Sequence, residues 1–307
     1  MFEIIFLGTS ASAPSIHRGL PSQVVKHADY RFLVDCGEGT QRQILQSGIG
    51  FKNLTNVLIT HGHLDHILGL GGLISTLARW ESIPGMDIYG AESALERIDD
   101  LLYGVVLRGA RPAMSINLKP VQPGVFLTGD DFEVSAFPVF HRGSDSFGYL
   151  FREFDRRPFL PEKAEELDIP PGPWRRNLAE GREAVLPDGR VIDPDAVLGE
   201  VKAGTRLAHV GDTGEIDNLL PYVSGADTMV IEATYLDSEL DMARRFSHIT
   251  AREGAELAQK AGIQQLILSH ISRRYREKDI IKEARAVFPN VKVARDFDMV
   301  MVKRQDE

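Results

Sequence analysis

The stretch Thr60-His61-Gly62-His63-Leu64-Asp65-His66 constrains this chain more than any other. It follows the apolar run Val57-Leu58-Ile59, which reads as a buried strand, so His61 falls where that strand stops. Ile67 to Trp80 reads as a helix that begins about where His66 ends. Three imidazoles and a carboxylate are thereby confined to one turn between strand and helix. Neutral imidazole and carboxylate are the usual ligands of zinc, and the mix also suits other divalent metals such as manganese. A His-rich surface loop is the alternative, but clustered imidazoles repel on protonation and stabilise nothing without a cation.

The later part of the chain repeats one arrangement, an apolar run that ends on a possible ligand. Phe132–Phe140 runs into His141, Thr205–Gly211 into Asp212, and Gln265–Ser269 into His270. Each alone is weak, because a lone His after a strand is more often a satisfied polar residue. Together with the first motif they offer four strand ends to what would be one rim of the sheets. Open sheets commonly build sites there, since strand ends are rigid while the loops beyond vary. Other strands are expected over Phe2–Leu7, Tyr30–Val34, Thr228–Glu232 and Val291–Ala294, and helices over Gly39–Ser47 and Ile280–Val287. Ala251–Ala261 is the clearest helix, with Thr250 and Glu253 in the capping-box pattern and Gly262 at its end. Gly8 to Ser15 reads as a tight turn, because it has neither the Lys nor the Gly spacing of a phosphate loop. His209 reads as a core or sheet-face residue, and His17 and His27 have no evident constellation.

At 307 residues the chain has ample length for a buried core. One cysteine, Cys36, rules out an internal disulfide framework and fits a reducing, cytoplasmic compartment. With no base beside it, Cys36 reads as a buried small residue rather than a nucleophile. No apolar run approaches membrane-spanning length, so no membrane partner is expected. A net charge of −9 argues against a nucleic-acid coat protein, though not against a nuclease with a local basic patch. Between Pro158 and Pro194 fall seven of the sixteen prolines, and hydrophobic periodicity fades. A protruding arm over residues 155–200, inserted in a single domain of residues 1–307, is expected there rather than a linker. It carries seven basic and eleven acidic residues, with arginines clustered at Arg156-Arg157 and at Arg175-Arg176 beside Trp174.

These residues resemble the metallo-β-lactamase fold and, within it, the ribonuclease Z family of tRNA 3′-processing endonucleases. His-Gly-His-Leu-Asp-His marks the superfamily. The narrower match runs nearly end to end, through Phe6-Leu7-Gly8-Thr9, Asp35-Cys36-Gly37-Glu38-Gly39, Pro170-Pro171-Gly172-Pro173, Gly211-Asp212-Thr213, Glu232-Ala233-Thr234, His248-Ile249-Thr250 and Ser269-His270-Ile271-Ser272-Arg273-Arg274-Tyr275. The Pro-Gly arm and the Ser-x-Arg-Tyr after the last His discriminate, because lactamases and glyoxalases of this fold lack them. The chain departs from the family after Arg18, where Gly19-Leu20-Pro21-Ser22 follows, and at the basic Trp174-Arg175-Arg176-Asn177.

The resemblance implies an αβ/βα sandwich, two mixed sheets packed face to face with helices outside. It implies two zinc ions per subunit, one held by His61, His63 and His141, the other by Asp65, His66 and His270, with Asp212 bridging. Asp65 would orient the attacking water, His248 would protonate the leaving 3′ oxygen, and Glu232 is a candidate to orient His248. Arg274 would contact a backbone phosphate, and Pro171, Gly172, Pro173, Arg175 and Arg176 would belong to the arm's grip on RNA. The implied substrate is precursor tRNA cut after the discriminator nucleotide by a homodimer, the arm of one subunit serving the other's active site. The alternative is a phosphodiesterase of the same fold acting on small diesters. A binding platform that has lost catalysis is disfavoured, since every ligand position is filled.

Overall fold

The computed structural model describes residues 1–80, 83–110 and 112–304. In chain order, β1 (Glu3–Gly8), β2 (Ser22–His27), β3 (Tyr30–Val34), β4 (Asn56–Leu58), β5 (Gly85–Gly90) and β6 (Ser115–Pro120) belong to a first sheet. A second sheet takes β7 (Gly124–Thr128), β8 (Phe132–His141) and β9 (Ser144–Glu153). After a separate hairpin of β10 (Ala184–Val185) and β11 (Val191–Ile192), it continues with β12 (Arg206–Gly211), β13 (Thr228–Ala233), β14 (Gln265–Ile271) and β15 (Val291–Val293). The last strand, β16 (Met299–Met301), returns to the first sheet beside β1. Among the described residues each sheet has seven strands, in the orders β16-β1-β2-β3-β4-β5-β6 and β15-β14-β13-β12-β9-β8-β7. Both are mixed: β3 to β6 and β12 to β15 are parallel runs, and β1 to β3 and β9 with β12 are antiparallel.

Strands buried on both faces need continuous apolar sequence, and β1, β13 and β14 supply it. Between the sheets, Phe2 meets Phe132 edge-on at 6.1 Å and Phe32 meets Phe151 at 5.5 Å. Helices α1 (Thr40–Ser47), α2 (Leu64–Ile67), α3 (Gly69–Trp80) and α4 (Glu92–Asp99) follow strands of the first sheet. Ile44, Leu70, Leu73, Ile74, Leu77 and Ile98 join them to the core built on that sheet. The expected helix from Ile67 starts earlier. Leu64 to Ile67 already form a turn of helix, so Asp65 and His66 sit on a helical turn rather than in a loop.

The arm has more structure than its composition implies. Residues 153–204 form a compact unit distinct from residues 1–152 and 205–307. It contains α5 (Pro161–Glu166) and α6 (Pro173–Ala179), each with Pro in its first turn, where a missing N–H costs nothing. Ala164, Ile169, Leu178, Ala184, Leu186 and Val197 make a small apolar core of its own. Its two ends touch: Arg156 and Lys202 exchange backbone hydrogen bonds at 2.8 and 2.7 Å, and Gly204 N donates to Asp155 Oδ1 at 3.1 Å.

Helices α7 (Leu220–Val223), α8 (Leu240–Arg245), α9 (Ala251–Ala261) and α10 (Glu277–Arg285) follow strands of the second sheet. Ala255, Leu257 and Ala258 of α9 and Ile280 and Ala284 of α10 pack in one core with Met229, Ile231, Leu266 and Leu268. The capping box at Thr250 is formed: its hydroxyl accepts from Glu253 N, and Glu253 accepts from Thr250 N at 3.0 Å. The last helix is displaced from its expected span of Ile280–Val287. Glu277 and Asp279 in its first turn suit the positive helix end, which apolar periodicity alone does not reveal.

Candidate metal centre

The site forms where strands of both sheets end. β4 stops at Leu58, Ile59 N donates to Tyr89 O, and the chain turns through Thr60 to His61 and His63 before α2 carries Asp65 and His66. From the second sheet, β8 delivers His141: its two-residue alternation turns His141 inward and Phe140 outward. Asp212 and His270 are aimed by β-bulges. The β12–β13 register shifts between His209 and Gly211, with Gly211 at φ 76°, and the β13–β14 register slips past His270, which has φ 54°. Asp35, Arg142 and Ser247 also take left-handed conformations, so strained backbone gathers around this cluster.

The ligand atoms converge. His61 Nε2 lies 2.8 Å from His63 Nδ1, which is 3.3 Å from His141 Nε2. Asp212 Oδ2 lies 4.0 Å from His61 Nε2, 3.5 Å from His66 Nε2 and 3.2 Å from His270 Nε2. Asp65 Oδ2 is 3.7 Å from both His66 Nε2 and His270 Nε2. Within this region His61, His63 and His141 make one potential metal-holding group, and Asp65, His66 and His270 another.

Outward-facing nitrogens fix the tautomers. His141 Nδ1 can only donate to Ser247 O at 2.7 Å, and His66 Nδ1 pairs with Asp35 Oδ2 at 2.8 Å. His61 Nδ1 lies 3.0 Å from Thr60 Oγ1, which donates to Asp35, and His270 Nδ1 lies 2.8 Å from Thr234 Oγ1, which donates to Glu232. The inward Nε2 atoms are therefore left as lone pairs. His66 Nε2 and His270 Nε2 are buried and have no hydrogen-bond partner, a costly state unless a cation accepts them. Imidazole nitrogens converging beside carboxylates fit a divalent metal.

Electrostatics agree. Burial lowers His61 and His141 and takes His63 down to about 4, which keeps them neutral and ready to ligate. Burial would raise Asp65 and Asp212, but the surrounding imidazoles outweigh it and hold both carboxylates ionised. His66 is the exception: burial opposes its charge, but Asp35 and Asp212 overcome it and raise the imidazole, so a cation binding at Nε2 displaces a proton there.

His248 and Glu232 form a second arrangement beside the first. His248 Nδ1 lies 2.8 and 3.0 Å from the two Glu232 oxygens and 4.0 Å from Asp212 Oδ2. Thr213 N also donates to Glu232 Oε1, at 2.8 Å. Of the residues expected to touch RNA, Arg274 pairs with Glu239 at 3.1 Å and Arg176 with Glu180 at 2.9 Å. Arg175 donates to the carbonyl of Ile169, so within its own unit it acts as a brace. Pro171 and Gly172 lead into α6, with Pro173 as its first residue, and Trp174 lies over Gly172 with its indole donating to Pro170 O. His209 is buried in β12 against Gln23, as a sheet residue. Cys36 is buried, and burial pushes its thiol up. Sequence reasoning gave Asp35 and the two threonines no role. Asp35 and Thr234 stood within motifs shared with the family and Thr60 headed the histidine stretch, each at or just past a strand end, but nothing local showed what they would hold.

The sequence profile described as the beta-lactamase superfamily domain matches residues 191–271, and that of the anti-Pycsar protein Apyc1 matches residues 2–160. Fold and site thus define a protein of the beta-lactamase superfamily. Ribonuclease Z of Bradyrhizobium diazoefficiens is 44% identical over 302 residues, 98% of this chain and 100% of that one. Its counterpart from Bradyrhizobium sp. is 45% identical with the same coverage. The chain belongs to the ribonuclease Z family. In fold it is similar to human tRNase Z, short form, with a TM-score of 0.69 and 23% identity over 98% of this chain and 100% of that one.

Proposed function

We propose that the chain is a metal-dependent endoribonuclease that removes the 3′ trailer of precursor tRNA, cutting after the discriminator nucleotide to leave a tRNA 3′ hydroxyl and a trailer 5′ phosphate. The observation that carries this is the convergence of seven ligand side chains from both sheets, in a chain related along nearly its whole length to ribonuclease Z proteins. His61, His63 and His141 would hold one zinc ion, Asp65, His66 and His270 a second, and Asp212 would bridge them. When bound, such a pair supplies an ionised water near neutral pH and neutralises charge at the scissile phosphate.

The chain's own residues do the rest. Asp65 Oδ2, fixed by a hydrogen bond from Ser12 N at 3.1 Å, would orient the attacking water and take its proton. His248 keeps Nδ1 on Glu232, which leaves Nε2 to carry a proton to the departing 3′ oxygen. Burial disfavours the imidazolium, but Glu232 overrides it and raises His248. The arm would grip the tRNA through exposed cations such as Arg176, whose side chain is 82% exposed, and Arg274 would add a phosphate contact. The family resemblance supports a homodimer, and the lone cysteine supports the cytoplasm.

The test is incubation of zinc-loaded protein with a trailer-bearing precursor, the cut mapped to the nucleotide. Cleavage elsewhere, or none, overturns the reading. His248→Ala should lower kcat on the precursor by about 10²- to 10⁴-fold. Its loss should be far smaller on bis(p-nitrophenyl) phosphate, whose leaving group needs no proton. Equal losses on both would remove His248 from the role of acid.

A further inference from the structure

The rim of the metal centre carries rings and cations that the chemistry above does not use. Phe140, turned outward beside His141, is 50% exposed. Its carbonyl accepts from Gly214 N at 2.7 Å, and Gly214 abuts both the Phe140 ring and Ser247. Ser247 follows Phe246, and the guanidinium carbons of Arg142 and Arg245 lie 5.6 and 5.5 Å from the Phe246 ring centroid. Arg142 Nε also donates to Phe246 O at 3.0 Å, which fixes its plane. Elsewhere in the 240s, 250s and 270s, Arg244, Arg252 and Arg274 are held by Glu253, Asp237 and Glu239. Arg142 and Arg245 are exposed and form no ion pair among the described residues. Arg142 directly follows His141, whose Nδ1 donates at 2.7 Å to the carbonyl of Ser247, the neighbour of Phe246, so these groups stand beside the metal-binding imidazoles.

We propose that Arg142, Arg245, Phe246 and Phe140 form a ledge for the single-stranded RNA nucleotide next to the scissile phosphate, its base on Phe140 and its phosphate on the two guanidinium edges. This rests on the nuclease reading above. A guanidinium held against a ring keeps its terminal Nη–H groups free even where Nε is bonded, as in Arg142, and that end matches phosphate oxygens two at a time. An exposed ring accepts any base face, which suits an enzyme that must tolerate varied trailers. The bond to be cut lies in an unpaired 3′ stretch, whose bases are open to stacking.

Steady-state kinetics on a precursor tRNA at several salt concentrations test the ledge, with Arg142→Ala, Arg245→Ala, their combination and Phe140→Ala. All of these side chains are exposed, so the variants should fold. The double variant should raise KM about tenfold and flatten the dependence of log KM on log salt by about 0.7, the contribution of the one single-strand phosphate lost, with kcat within about twofold. Phe140→Ala should raise KM without changing that slope. An unaltered KM and slope in the double variant would overturn the ledge while leaving the nuclease reading standing. So would a fall in kcat at constant KM. Wild-type protein that hydrolyses bis(p-nitrophenyl) phosphate but no precursor would instead overturn the nuclease reading, and the ledge with it.

Discussion

Two buried carboxylates, one from each sheet, organise the site. Asp35, at the end of β3, holds His66 directly and His61 through Thr60. Glu232, in β13, holds His248 directly and His270 through Thr234. Each thus orients a neighbouring imidazole and, through a hydroxyl, a second. Asp35→Asn keeps the shape but removes the charge that fixes the His66 tautomer. It should weaken metal binding by about 10- to 100-fold, read by competition with a chromogenic chelator. Unchanged affinity would show that His66 is oriented without Asp35. The candidate ligands could be picked from the sequence because His141, Asp212 and His270 each follow an apolar run and His61, His63, Asp65 and His66 crowd one turn, and Glu232 was a candidate through the family resemblance. Asp35 was not. Its partners are 25 and 31 residues further on, brought near only by the parallel pairing of β3 with β4.

At the level of elements, short-range chemistry was the easiest to read. The α9 cap and its glycine stop follow from Thr250, Glu253 and Gly262 alone. The bulges beside Asp212 and His270 do not, because a two-residue period cannot announce an extra residue. Nor does α2, a single turn too short for apolar periodicity to register. That turn is seated by close backbone approach: Gly69 N donates to Cys36 O at 2.8 Å, and a Cβ on Gly69 would stand 2.0 Å from Gly37 O. Gly69→Ala gains about 1 kcal/mol in helix propensity but forces the backbones apart, a strain of about 1–3 kcal/mol or more. Urea unfolding should show a net loss of stability, and metal affinity should fall as Asp65 and His66 shift. A stabilised variant would mean the approach can relax.

For the molecule as a whole, the arm is an insertion between β9 and β12, which remain paired through Arg152 and Arg206 whatever lies between. Its composition marked it off from the rest of the sequence but not the core of Ala164, Ile169 and Leu178, because six scattered apolar residues leave no periodic trace. Replacing residues 155–203 with a short Gly-Ser linker should abolish precursor cleavage yet spare hydrolysis of bis(p-nitrophenyl) phosphate. Equal loss of both activities would count against a gripping role.

The touching ends of the arm carry a further consequence. Because Arg156 with Lys202, and then Arg152 with Arg206, close the neck, a protease cut at an exposed arm residue would sever the chain without freeing either piece. The nicked protein should elute from a sizing column as one particle, come apart only in denaturant, and bind zinc as the intact chain does.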